Sequence, residues 1–197
     1  MEEMTIPLQT VNKVIGLECV DSTQTLAKEL ALNGEEANTL VLACSQTGGR
    51  GRFERTFSAQ EGGVYFTLIL RPNKDVSHNG NLSVKVAEAV CDTLKLFDVK
   101  TKIKHPNDVL VWEPKTKKWK KICGILIETS AGAENSANQF MLVGVGVNVN
   151  NRLPASLKDV AASLKQLIGT ETSKELFLDE LLENFWRRYA EWEASSR

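Results

Sequence analysis

Six short segments rich in Val, Ile, Leu, Thr and aromatic residues crowd the middle of the chain, at 39–46, 63–71, 99–104, 108–113, 119–129 and 139–149. β-Branched and aromatic side chains suit a pleated, half-buried surface, so these segments read as strands. Pro72 stops the second, and the turn Glu113-Pro-Lys-Thr-Lys-Lys118 joins the fourth and fifth as a hairpin. Helical patterns flank them. Leu82, Val86, Ala89, Val90, Leu94 and Phe97 recur at helical spacing. A helix opening at Ser22 or Thr23 carries Leu26, Ala27, Leu30 and Ala31 and ends at Asn33-Gly34. Two more are expected near 155–168 and 173–193. The last bears Leu178, Leu181, Leu182, Phe185, Trp186, Tyr189 and Trp192, a packing stripe with no chemistry assigned to it. Strands in the middle and helices around them predict an α+β fold with a mixed, largely antiparallel β-sheet.

The chain has 197 residues and no internal repeat, enough for one domain with a core of its own. A net charge of −1 argues against a surface built as a whole for nucleic acid or anionic membrane. No run of 18 apolar residues is present. The start, Met-Glu-Glu-Met-Thr, lacks the apolar stretch of a secretory signal. Cys19, Cys44, Cys91 and Cys123 form no paired motif and stand near no histidine cluster, so they read as reduced core residues rather than a metal or disulfide framework. The expectation is a cytoplasmic protein.

Chemistry concentrates in one short stretch. Gly49-Arg50-Gly51-Arg52, with Arg55 close behind, follows the strand at 39–46. Glycine lets a backbone approach an anion closely, and arginine offers a permanently charged donor fork for carboxylate or phosphate. Such a stretch closes over an acyl phosphate or nucleotide, or is a solvated turn, or is an RNA-binding tract. Three further stretches accompany it: Lys104-His105-Pro106-Asn107-Asp108-Val109, Lys120-Lys121-Ile122-Cys123-Gly124-Ile125-Leu126-Ile127-Glu128, and Gly144-Val-Gly-Val-Asn148-Val-Asn150.

In this order and spacing the four stretches resemble the catalytic domain of the biotin protein ligases, in the biotin/lipoate ligase superfamily. The resemblance runs from about residue 16 to 192. It implies a sheet of the class II aminoacyl-tRNA synthetase type. Over 1–197 it implies a single catalytic domain, with neither the N-terminal helix-turn-helix nor the C-terminal SH3-like barrel of many relatives. It implies two steps: biotin and ATP give biotinyl-5′-AMP, and biotin then passes to a lysine of the acceptor domain of a carboxylase such as acetyl-CoA carboxylase. ATP, biotin and Mg²⁺ are the expected cofactors. No nucleic-acid or membrane partner is expected, and a homodimer through a sheet edge is open.

The resemblance also assigns residues. Arg50 and Arg52 match the loop arginines near the biotin carboxylate and α-phosphate, with Gly49 and Gly51 opening the backbone to the ligand. Arg55 faces the outer phosphates. Lys121 binds the charge developing between phosphate and carboxylate, and Asp108 joins Arg50, Arg52 and Lys121 as a catalytic group. Asn107 and Asp108 suit nucleotide and Mg²⁺, or else form a turn. Ser22, Thr23 and Gln46 contact the ureido ring, with the helix cap as the other reading for Ser22 and Thr23. Gly124 and Leu126 form the floor, Phe57 stacks on adenine, and Asn148 meets the adenine or ribose. Glu128 faces either way and is left out. Lys115, Lys117, Lys118 and Lys120 read as a solvated face or as an aid to docking an acidic acceptor. His105 and Phe57 depart from the tryptophans common in the family, and Phe53-Glu54 from its small or basic pair. His78 and His105 stand in no catalytic context. The alternatives are a lipoate or octanoate ligase or transferase, and a non-catalytic biotin- or nucleotide-binding regulator.

Overall fold

A computed structural model describes residues 11–72, 81–130 and 139–195; His78 lies outside them. Seven strands make one sheet: β1 (Lys13–Val20), β2 (Thr39–Gln46), β3 (Val64–Leu70), β4 (Thr101–Lys104), β5 (Asp108–Glu113), β6 (Lys118–Thr129) and β7 (Met141–Val147). Their order across the sheet is β1-β2-β3-β7-β6-β5-β4. Only β1 and β2 pair in parallel; the other neighbours are antiparallel. β1 is absent from the sequence reading. It carries Val14, Ile15, Leu17, Cys19 and Val20, but Gly16 and Glu18 interrupt the run, and in the fold all its side chains are exposed or half-exposed.

Helix α1 (Thr23–Leu32) covers one end of the front face, and α2 (Leu82–Lys95) with α4 (Lys174–Ala194) covers the back. Period-two alternation splits the strands between two cores. Leu40, Phe66, Leu68, Val143 and Val145 pack backward with Val86, Val90, Phe177 and Phe185. Val41, Ile69 and Leu142 pack forward with Ala27, Ala31 and Phe140. Each fully buried Leu, Ile or Phe contributes roughly 1.5–3 kcal/mol, so the two cores dominate stability. Ion pairs bolt α4 to α2. Asp92 takes Arg188 Nη2 at 2.6 Å and Arg187 Nη2 at 3.0 Å, and Lys85 Nζ lies 2.9 Å from Glu191. The α4 stripe is buried as expected except for Trp186, which is half-exposed.

The helix expected over 155–168 breaks up. Ala155–Leu157 is a 3-10 turn and only Leu164–Ile168 (α3) is α-helical. Between them the backbone pairs with β6, where Lys121 N donates to Val160 O at 2.8 Å and Ala162 N to Lys121 O at 2.9 Å. Beyond that, Leu164 N and Lys165 N donate to Asn148 O and Val149 O. A sheet with free carbonyls outcompetes the weak helical preference of so short a segment. The cysteines are unpaired, but only Cys123 is buried and Cys19 is exposed on β1. Burial pushes the Cys123 thiol well above its ordinary range, so it stays protonated and is core.

Candidate functional site

Cross-strand register carries glycines and charges onto the uncovered part of the front face. Lys104 pairs with Asp108, Asp108 with Gly124, and Gly124 with Gly146. Leu126 pairs with Gly144, and Gly144 with Thr67. Above this glycine-rich floor lies a cavity of about 300 Å³, bounded by the N-terminus of α1 and by the loop after β2.

The loop folds back as a small hairpin. Phe57 N donates to Gly49 O at 2.8 Å and Gly51 N to Arg55 O at 2.7 Å. A Cβ on Gly49 would lie 2.4 Å from Phe57 O, so this crossing requires glycine. The left-handed residue is not one of its glycines but Phe53, with φ 55° at the 80% exposed tip. Arg50, Arg52 and Arg55 all line the cavity. Gly51 lines it too; Gly49 does not, and acts by shaping the loop. The Phe57 ring lies on the paired glycines. A Cβ would come within 2.8 Å of it from Gly146 and 3.3 Å from Gly124. Lys121 Nζ stands 5.8 Å from the ring centroid and 2.6 Å from Asp108 Oδ1. Asp108 is the one carboxylate among the lining residues.

At the other wall, Ser22 occupies the cap position of α1 without a capping side-chain bond. Its hydroxyl is 1% exposed and has no partner among the described residues. A buried hydroxyl left so costs about 1–3 kcal/mol, which a ligand would offset. Gln46 covers the helix end instead: its Oε1 accepts from Thr23 N at 2.8 Å and Thr23 Oγ1 at 3.1 Å. Thr67 Oγ1 then bridges to Thr23 Oγ1 at 3.0 Å and Gln24 Oε1 at 3.1 Å. Gln24 Nε2 donates to Glu128 Oε2 at 3.0 Å, and Glu128 Oε1 lies 3.4 Å from Arg50 Nη2. One polar chain therefore crosses from Gln46 to the loop arginine.

Gln24, Thr67 and Glu128 are the members that sequence reading missed. Glu128 was legible in principle, because Gly124, Leu126 and Glu128 alternate onto one face of β6. Gln24 is buried against Gly144, where a Cβ would sit 2.4 Å from its Oε1. Asn107 lines the cavity, while its Nδ2 donates to Ile125 O at 2.8 Å and so fixes the turn ahead of β5. Asn148 does not reach the cavity. It is 4% exposed, and its Oδ1 accepts from Asn151 Nδ2 at 3.0 Å. The donor set offers a cation little beyond Asp108 and the Asn107 carbonyl. No group of three or more His, Cys, Asp or Glu residues able to hold a metal occurs among the described residues.

A sequence model of the biotin/lipoate A/B protein ligase family matches residues 16–148. The bifunctional ligase/repressor BirA of Bacillus subtilis is 37% identical over 180 residues, which make up 89% of this chain and 53% of that protein. The biotin–[acetyl-CoA-carboxylase] ligase of Paracoccus denitrificans is 32% identical, covering 88% of this chain and 70% of that one. In fold, the biotin protein ligase from Aquifex aeolicus in complex with biotin and ATP superposes with a TM-score of 0.77 at 29% identity, over 94% of this chain and 73% of that chain. The chain thus spans about half the length of BirA, and no described helix is long and apolar enough to cross a membrane.

Proposed function

The chain belongs to the biotin/lipoate A/B protein ligase family, and on that premise we propose that it is an ATP-dependent biotin protein ligase. In the first step a biotin carboxylate oxygen attacks the α-phosphorus of ATP. A P–O bond forms, the bond to the β-phosphate oxygen breaks, and pyrophosphate leaves. In the second step the neutral amine of an acceptor-domain lysine attacks the acyl carbon of biotinyl-5′-AMP. The C–N bond forms, AMP leaves, and the amine loses a proton, for which Asp108 is the nearby base. The acceptor is the carboxyl-carrier domain of a carboxylase. The four unpaired cysteines fit a reducing, cytoplasmic setting.

One observation carries the reading. Arg50, Arg52 and Lys121 line a single cavity over a glycine floor, with the partnerless Ser22 hydroxyl in its wall. Bringing a carboxylate to a triphosphate joins two anions, and fixed cations offset that repulsion while stabilising the oxygens on which charge develops. Ser22, Thr23 and Gln46 supply hydroxyl and amide groups for the ureido ring, with Gly124 and Leu126 beneath it. Arg55, Phe57 and Asn107 serve the nucleotide. Mg²⁺ carried in on the triphosphate would be held on the protein side by Asp108 and the side-chain carbonyl of Asn107, and would lower the charge on the phosphates.

Incubation with biotin, Mg-ATP and a biotin-acceptor domain, read by streptavidin blot, tests this. A labelled band that needs both ATP and biotin is the expected result. Modification by lipoate or octanoate in preference to biotin, read by mass spectrometry, would move the protein to the sister activity. Adenylate formation without any transfer would leave a biotin-binding regulator.

A further inference from the structure

Between Asp98 and Lys121 the chain carries eight lysines and three carboxylates, within a protein of net charge −1. The register sorts them. Three cross-strand rows step outward from the cavity on the front face, and each ends at edge strand β4 or the residue before it. The first is Lys104–Asp108–Gly124 and the second Lys102–Leu110–Lys121. In the third, Trp112 pairs with Trp119 and its N–H donates to Lys100 O at 2.9 Å. Lys100, Lys102 and Lys104 are exposed, as are Lys115, Lys117 and Lys118 on the adjoining hairpin. The carboxylates there are mostly spoken for. Glu113 lies 2.8 Å from Lys120, which is buried and also donates to Lys158 O, and Asp108 is paired with Lys121. Asp98, in the turn before β4, is the remaining one.

We propose that this half of the front face, from the cavity to the β4 edge, is the docking surface for an acidic acceptor protein. The proposal rests on the ligase reading above and locates its second substrate. An acceptor that delivers a lysine into the cavity must lie against a surface abutting it. On this side that surface carries a concentrated positive charge over a half-buried aromatic pair, Trp112 and Trp119, with ring centroids 5.5 Å apart. Carboxylates flanking the acceptor lysine complement it, steering encounter and orienting the partner. Nucleic acid shares the charge complementarity but fits the aromatics poorly. Lys102 Nζ already sits 4.3 Å from the Trp119 ring centroid, over the face a base would need for stacking.

The test compares Lys100→Glu/Lys102→Glu and Lys115→Glu/Lys118→Glu with a control, Lys28→Glu, on the exposed side of α1. Biotin-dependent ATP–pyrophosphate exchange reads the first step without any acceptor. Transfer to an acidic biotin-acceptor domain reads the second. Each double reversal is expected to raise the acceptor KM by about tenfold or more, with exchange within about twofold of wild type. The acceptor KM of the wild-type protein should climb with ionic strength, and that slope should shrink in the reversals. The hairpin pair keeps the test sound should Lys102→Glu disturb Trp119. Unchanged acceptor KM in both reversals, with normal exchange, overturns the docking surface alone. Equal loss of exchange overturns it too, since the lysines would then serve the first step. Absence of biotin-dependent exchange in the wild type removes the ligase reading itself, and the docking proposal with it.

Discussion

Lys121 and Lys118 lie in one basic run, and the sequence separates them only by the place of Lys121 three residues before Gly124. Position in the sheet separates them further. Lys121 faces the cavity and pairs with Asp108, whereas Lys118 stands exposed at the hairpin end. Lys121→Ala is expected to slow adenylation by roughly 10²–10³, the loss typical of one fixed charge-stabilising donor. Lys118→Ala should cost under about 1 kcal/mol, as for a hydrated surface charge. Pyrophosphate release by the two single variants measures the difference; equal losses would make the hairpin a diffuse basic patch. Gly124 offers a sharper probe. A Cβ there meets Lys121 Nζ at 3.0 Å and Phe57 at 3.3 Å, so Gly124→Ala should crowd both and raise the biotin KM while the melting temperature holds. Gly16 has open space around its missing Cβ, and Gly16→Ala should leave activity unchanged. If the Gly124 variant binds biotin normally, the floor is not where biotin lies.

At the scale of elements, the contact between α2 and α4 concentrates charge on Asp92. Burial alone would raise its pKa, but the hydrogen bonds from Lys95 and Arg188 outweigh that and hold it below the ordinary 3.8. A carboxylate whose pKa is lowered by folding stabilises the native state above its unfolded value, and that contribution fades as pH falls through the folded one. The window is therefore acidic, below about pH 4. Asp92→Asn is expected to cost about 1–2 kcal/mol at neutral pH, between the ranges for exposed and buried pairs. In a domain of this size that is roughly 3–6 °C in Tm. Thermal melts from pH 7 down to 3 should show the gap between wild type and variant narrowing as the pH falls below about 4. A gap that does not narrow as the pH falls below about 4 would show that packing, not the ion pair, carries the effect.

Across the whole molecule, the polar chain from Gln46 through Thr23, Thr67, Gln24 and Glu128 ties the α1 wall of the cavity to Arg50. A biotin carboxylate reaching Arg50 competes with Glu128, whose 3.4 Å contact is loose, and so engages the loop that also carries Arg52 and Arg55. Biotin is therefore expected to bind before ATP binds productively, a loop ordering that completes the second site. Equilibrium binding of a non-hydrolysable ATP analogue should tighten when biotin is present. Equal affinity with and without biotin would count against the order.

The amino-acid sequence by itself determined the class of fold and the company the motifs keep. Six of the seven strands were legible from their β-branched and aromatic residues, and the amphipathic spacing of α2 and α4 follows from which face meets the sheet. The arginine loop and Lys121 were legible because four stretches together, in order and spacing, resemble a known family; the loop alone left a solvated turn or an RNA-binding tract open. Tertiary structure alone decided the rest. β1 is defined by its partner, since its own side chains are largely exposed. The stretch before α3 is extended because β6 offers it backbone partners. Asn148, polar and following Gly144 and Gly146, looked like a ligand group, yet its side chain holds Asn151 and its backbone joins Ile122 to Leu164. Gln24 and Glu128 meet across 104 residues of chain. Local spacing reports which face a residue takes within its own element. Which faces from distant elements come together depends on strand order and register, and those are fixed only when the sheet assembles.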